Sequence, residues 1–227
     1  MNESKTTIET RSLGEQVYNH LCDMIIDGNI DYGQTLNIKQ LAEELNVSPM
    51  PVREAIKRLE VEGLVVIKPR SMCILREPTA HSVANAIAMR EILETYCVES
   101  VYREVAPERL ENLREITEKM RALMAQVPFN LKSYIKNDGQ FHTELCSLVD
   151  NDFIDKSYRE VSLHLSMNHM YNMTIMPDTA QTFRDHTQLV EALATHSDQA
   201  VEIIRRHLDQ SRKNVMSGKM FASQSIK

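Results

Sequence analysis

The sequence predicts a mainly α protein: an N-terminal winged helix-turn-helix joined to a C-terminal antiparallel all-α bundle of about six helices. Three observations predict it. Apolar residues between Ile38 and Leu59 recur at helical spacing on either side of a very short break. Two β-branched runs follow at once. From Thr79 onward helical periodicity returns and runs to Val215, punctuated by Pro107, Pro128 and Pro177.

Residues 1–11 are polar and expected to be disordered. Val17, Leu21, Met24 and Ile25 mark a first helix that ends by Gly28. Ile38, Leu41, Ala42 and Leu45 follow the i, i+3, i+4, i+7 pattern of a short amphipathic helix, and Asn37 is placed to cap it. That helix stops near Asn46, because Ser48 is an N-cap residue and Pro49 suits a first helical position, where its missing N–H costs nothing. Val52, Ala55, Ile56 and Leu59 form the buried face of the next helix, and Gly63 supplies its left-handed stop. Arg53 and Lys57 lie one turn apart on the opposite side, with Met50 near the helix start. A helix exposed in this way suits a DNA major groove, where phosphates position it and base edges are read. Leu64–Ile67 and Met72–Leu75, separated by Lys68-Pro69-Arg70-Ser71, read as a hairpin with a basic tip. These elements make an N-terminal domain of residues 12–77.

The run Ser-Pro-x-Pro-Val-Arg-Glu-Ala-Ile-x-Arg-Leu-Glu-x-Glu-Gly-Leu, Ser48 to Leu64, resembles the GntR family of bacterial transcription regulators. The resemblance is a long ungapped signature and extends over roughly residues 12–76. It implies a homodimer whose two winged helices read a palindromic double-stranded DNA operator. Two departures matter. Pro49 stands where some relatives carry a DNA-reading Arg, which moves base readout to Arg53 and leaves Lys39, Ser48, Lys57 and Arg70 mainly on phosphates. Arg70-Ser71-Met72 replaces a common wing glycine, which weakens the expected minor-groove contact.

The chain has 227 residues, enough for one or two domains, and a net charge of −6 that excludes general nucleic-acid affinity. Charge is local instead. Between Ser48 and Arg76 six cations face three carboxylates, so one face of an acidic body is basic. Cys22, Cys73, Cys97 and Cys146 have no metal-like or paired spacing and read as reduced thiols in a cytoplasmic protein. No apolar run approaches membrane-spanning length, and the N-terminus has no apolar export segment. Thirteen Met and no Trp point to a helical body with an adaptable core.

Arg76-Glu77-Pro78 reads as a linker, and Thr79 can cap the helix after it. The bundle, residues 78–216, begins with a helix through Val83, Ile87, Arg90, Glu94, Cys97 and Val101. Others run from Pro107 through Met120 and Leu123, from about Leu131 to Val149, from Phe153 to about Met173, from Phe183 to Ala194 and from Asp198 to Val215. Ser197 or Asp198 can cap the last. Residues 217–227 lack periodicity and are expected to be a flexible tail.

Asp138 and His142 lie i, i+4 on an inward stripe; His186 and His207 lie on two others. Buried polar groups need partners, and one carboxylate with three imidazoles would suit a divalent transition metal. The plain alternative is a set of separately satisfied core histidines. Asp138-Gly-Gln-Phe-His142, His186-Thr-Gln-Leu-Val and His207-Leu resemble the ligand set of the FCD domain, the helical effector domain of the FadR-like GntR subgroup, over roughly residues 80–215. That resemblance implies a bound zinc, nickel or manganese whose open positions accept the carboxylate of a small organic acid. Arg90, in Arg90-Glu-Ile-Leu-Glu94, matches the family's Arg-x-x-Leu-Glu helix; it either grips the effector carboxylate or forms a buried pair with Glu94 or Asp138. His164 is the most plausible further pocket residue, and Gly139 weakens the metal helix.

The function this implies is a DNA-binding repressor controlled by an acid at a metal site. One alternative keeps the DNA binding and makes the metal purely structural. A metal-dependent enzyme is disfavoured, because Asp138 is spent as a ligand and no other carboxylate holds a matching inward position.

Overall fold

The computed structural model describes residues 12–68, 72–171 and 179–217. Residues 1–11, Arg70, Pro177 and residues 218–227 lie outside them. The chain divides into two compact units between Glu77 and Pro78.

In the first unit, α1 (Leu13–Ile26) is capped by the Ser12 hydroxyl, which accepts from Glu15 N–H, and buries Val17, Leu21 and Ile25. Asn37 Oδ1 accepts from the Lys39 and Gln40 N–H groups and starts α2 (Ile38–Glu44). After a turn through Asn46, at φ 52°, comes α3 (Pro49–Val61), with Pro at its first position. Ser48 occupies the N-cap position of α3 but makes no side-chain capping bond. Val52, Ala55, Ile56 and Leu59 are buried as their spacing predicts, and α3 packs on α1 and α2. Gly63 ends the helix at φ 78°, a conformation costly for any residue with a Cβ.

The hairpin of β2 (Val65–Lys68) and β3 (Met72–Leu75) pairs antiparallel, with Val65 opposite Leu75 and Lys68 opposite Met72. A strand the sequence does not reveal, β1 (Thr35–Leu36), pairs with the other edge of β3 to give the order β1-β3-β2. Two residues carry no period, so β1 could be found only through its partner.

The second unit is helical. α4 (Ala80–Val101) opens with a reciprocal capping box between Thr79 and Ser82. A 3-10 turn (Pro107–Leu110) leads into α5 (Glu111–Met124), followed by α6 (Leu131–Ser147), α7 (Asp152–Tyr171), α8 (Thr179–Ala194) and α9 (Gln199–Met216). α8 begins a turn earlier than the apolar pattern indicates, because Thr179 to Thr182 are polar or small. Asp198 precedes α9 without a side-chain capping bond, while Ser197 Oγ accepts from Gln199 N–H at 3.3 Å. α4 packs on α6, α7 and α9, α6 on α5 and α7, and α8 on α5 and α9. Leu113, Ile116, Phe141, Leu145, Leu193 and Ile204 lie in the core these helices enclose.

Gly139 sits inside α6, where an added Cβ would find only Ser162 Oγ at 3.9 Å and Ser166 Oγ at 4.0 Å. Space is available, and alanine removes the entropic cost of glycine in a helix. Gly139→Ala should therefore raise stability by about 0.5–1 kcal/mol in urea titration.

Candidate metal centre and nucleic-acid interface

α6 carries His142, α8 carries His186 and α9 carries His207, and the three imidazoles converge. Nε2 of His142 lies 3.1 Å from Nε2 of His186 and 3.2 Å from Nε2 of His207. All three rings are buried, and their ligand atoms lie within 4.8 Å of one another. Phe141 stacks on the His186 ring at 4.0 Å between centroids and fixes its plane.

The proton inventory at this point favours a cation. Burial above all, then the Arg90 charge, holds His142 below the ordinary imidazole pKa, with Glu94 offsetting only part of the effect. Burial and the two neighbouring imidazoles hold His186 well below it. Both rings are neutral at pH 7. His142 Nδ1 faces Glu94 Oε2 at 2.8 Å, at ion-pair distance though without full hydrogen-bond geometry, so Nδ1 carries the proton and Nε2 a lone pair. His207 Nδ1 faces Asp185 Oδ2 at 3.6 Å in the same sense. Lone pairs thus point at one spot from several sides. Ligand nitrogens about 2.1 Å from a shared zinc stand roughly 3.0–3.4 Å apart, the range in which His142 Nε2 stands from Nε2 of His186 and of His207. The residues present fit a divalent metal.

Asp138 stands at the rim. Its Oδ1 is 3.7 Å from His186 Nε2 and 4.0 Å from His142 Nε2, and it is buried with no hydrogen-bond partner. A cation among the imidazoles would supply what this oxygen lacks. Asp138, Asp185 and His207 also line a cavity with about 620 Å³ of empty space, part of it open to solvent.

Two further inward carboxylates stand near Asp138, against the reading that no other carboxylate holds a matching inward position: Glu94, which the sequence offered as a buried partner of Arg90, and Asp185, which it did not reveal. Glu94 on α4 is fully buried; its Oε1 accepts from Arg90 Nε at 2.7 Å and from the Tyr158 hydroxyl at 2.5 Å. Burial alone would raise its pKa, but Arg90 first and His142 next hold it well below the usual carboxylate range. Asp185 on α8 is 3% exposed and accepts from Gln181 Nε2 at 2.8 Å and Arg206 Nη2 at 2.9 Å. Here too burial pushes the pKa up, and the facing His207, Arg206 and Gln181 more than offset it. Glu94 is the partner its i+4 spacing to Arg90 offered; Asp185 faces His207 only through tertiary packing.

Arg90 is 6% exposed and paired with Glu94, which realises one of the two roles open to it. Its Nη1 donates to Ser211 Oγ at 3.3 Å, while Nη2 is buried with no partner. Arg90 does not line the cavity, although Ser211 does. His164 is half-buried and lies outside that lining.

In the first unit, Arg53 and Lys57 stand exposed on α3 opposite its buried face, and Lys39 and Ser48 are exposed near the starts of α2 and α3. Met50 is 62% exposed beside them. Arg58 behaves differently: its guanidinium lies over the Tyr18 ring at 3.6 Å and pairs with Glu62 at 3.0 Å, so this cation serves the α1–α3 contact. Tyr18 also donates to Glu62 at 2.8 Å.

Residues 13–74 match the family described as bacterial regulatory proteins, gntR family, and residues 85–210, more than half of the chain, match the FCD domain. Among curated relatives, the uncharacterized HTH-type transcriptional regulator YdhC of Bacillus subtilis (strain 168) is 26% identical over 187 residues, covering 82% of this chain and 83% of that protein. The gluconate operon transcriptional repressor of the same organism is 24% identical over 206 residues, covering 86% and 81%. Among solved structures, E. coli McbR/YncC superposes with a TM-score of 0.80 at 20% identity, covering 92% of this chain and 99% of that one, a likeness of fold.

Proposed function

The chain belongs to the GntR family of bacterial regulatory proteins and carries an FCD domain, and from this premise we propose a repressor whose grip on its operator is set by a small organic acid bound at a metal site. It is a transcriptional regulator and not an enzyme. The observation that carries the sensing half is the convergence of three buried imidazole nitrogens beside an open cavity.

In this reading His142, His186, His207 and Asp138 hold a divalent zinc, nickel or manganese ion, which when bound offers open positions to a carboxylate. The partnerless Nη2 of Arg90 supplies positive charge behind that carboxylate. A second reading, in which the metal is purely structural, is favoured by the engagement of Arg90 with Glu94. On the DNA side Arg53 reads a base edge, and Lys39, Ser48, Lys57 and Arg70 contact phosphates. A homodimer presents two such heads to a palindrome in the bacterial cytoplasm. No described helix is long and apolar enough to cross a membrane.

The test is operator selection from random DNA with full-length protein, followed by affinity measurements at two salt concentrations. Arg53→Ala should weaken binding to the selected site by about 5- to 150-fold, the equivalent of about 1–3 kcal/mol, and relax preference at one base pair. Failure to enrich any sequence, or an unchanged Arg53→Ala profile, would refute the DNA half. Metal analysis of untreated protein should find about one ion per chain, and none in His142→Ala/His186→Ala.

A further inference from the structure

The first turn of α3 is built differently from the rest of its exposed side. An α-helix opens with N–H groups that have no partner inside it, and these ordinarily serve a capping side chain or an anion. Here Pro49 and Pro51 take two of the first three positions and carry no N–H, so Met50 alone offers one. The N-terminal residues of a recognition helix are the ones that reach base edges, and in α3 that end is poor in donors. What it presents instead is apolar: Met50 is 62% exposed, and the exposed Arg53 and Lys57 continue the same side at i+3 and i+7. Resting on the reading of α3 as the major-groove helix, we propose that Met50 reads the methyl group of a thymine within two base pairs of the one read by Arg53.

Charge leaves this contact unopposed. Glu54 is the single carboxylate between Pro49 and Lys57. It is turned towards α1, where its Oε2 lies 2.6 Å from the place a Cβ on Gly14 would take. The missing side chain of Gly14 gives that carboxylate its room. Over the first two turns, the side of α3 that carries Met50 therefore offers a groove one thioether chain and two cations.

The chemistry of the groove then selects the base. Thymine alone sets an apolar substituent there, its C5 methyl, whereas the other groups that distinguish the base pairs are hydrogen-bond donors and acceptors. A thioether side chain satisfies the methyl and leaves a donor or acceptor stripped of water without a partner. Met is also unbranched and polarizable, so it can follow the methyl without the fixed fit a branched chain would need. Three helix positions rise about 4.5 Å, and one base pair rises about 3.4 Å. Met50 and Arg53 thus address base pairs one or two steps apart.

The experiment takes the operator selected with full-length protein and replaces its thymines one at a time by deoxyuridine, which removes the methyl and keeps every hydrogen-bonding group. At one thymine within two base pairs of the position that Arg53→Ala relaxes, the replacement should weaken binding of the parent about fourfold, the factor that burying one methyl-sized group brings. Met50→Ala should bind the thymine and deoxyuridine sites equally, and Met50→Leu should recover most of the difference. Selection repeated with Met50→Ala should lose the thymine and keep the base pair assigned to Arg53. A deoxyuridine penalty of the same size in the parent and in Met50→Ala overturns the proposal, as does an operator in which no thymine near that position carries one. In both of these cases an enriched sequence that still needs Arg53 leaves the reading of α3 standing. If no sequence is enriched, that reading fails together with the proposal.

Discussion

Glu94→Ala should destabilise the helical unit by about 3–5 kcal/mol, read as a drop in urea midpoint at pH 7. The size follows from what the carboxylate holds. Arg90 Nε and the Tyr158 hydroxyl share one oxygen, and His142 Nδ1 faces the other, all in a site closed to water. Removing it leaves a guanidinium charge in the interior with only Ser211 as a partner, and a phenol with no acceptor. Glu94→Gln keeps the volume and one acceptor, and should cost less. Its diagnostic effect is on the proposed metal: without a carboxylate behind Nδ1, His142 loses its preferred tautomer, and chelator competition should show affinity about 10- to 100-fold weaker. A Glu94→Ala variant within about 1 kcal/mol of the parent would contradict this account of the interior.

Metal-free protein should also lose stability as pH falls below about 6.5. His142 and His186 have folded-state pKa values below 6.5, chiefly through burial, whereas in the unfolded chain both titrate near that value. Between those limits the unfolded state binds more protons, so stability rises with pH. The slope is at most about 1.4 kcal/mol per pH unit for each group, and the loss is recovered above the unfolded value. Glu94 and Asp185 add a separate acid limb. Their carboxyls are held below their unfolded values of 4.5 and 3.8, so their contribution is present above those values and lost as pH falls through the folded ones. Urea midpoints in chelator at pH 8, 6.5 and 5 should therefore be flat across the first interval and fall across the second. His186→Gln should remove the larger part of that fall, because His186 is the more strongly depressed of the two. A flat profile to pH 5 would mean that the imidazoles accept protons inside the fold.

What could be read from the chain alone depended on how local the physics was. The helices of the first unit were legible because Asn37, Pro49 and Gly63 act within a few residues of themselves. The helical stripes placed His142, His186 and His207 inward, since burial periodicity is a one-dimensional signal. Strand β1 was not legible, because two residues gain their identity from β3. Asp185 was missed for a related reason: its approach to His207 is made by the packing of α8 on α9, which no spacing encodes. Ser48 shows the limit from the other side. A residue of the right capping type stands at the right place without making the capping bond, and the proline after it removes one of the donors such a bond would serve.

The seating of α3 on α1 has a thermodynamic corollary for recognition. Arg58 lies over Tyr18, and Glu62 is held by both side chains, so the helix carrying Arg53 and Lys57 is braced before any nucleic acid arrives. A braced reading head has little backbone freedom left to surrender on docking. Differences between one base pair and another then reach the binding constant undiluted by a folding step, and discrimination rests on a few side-chain rotamers.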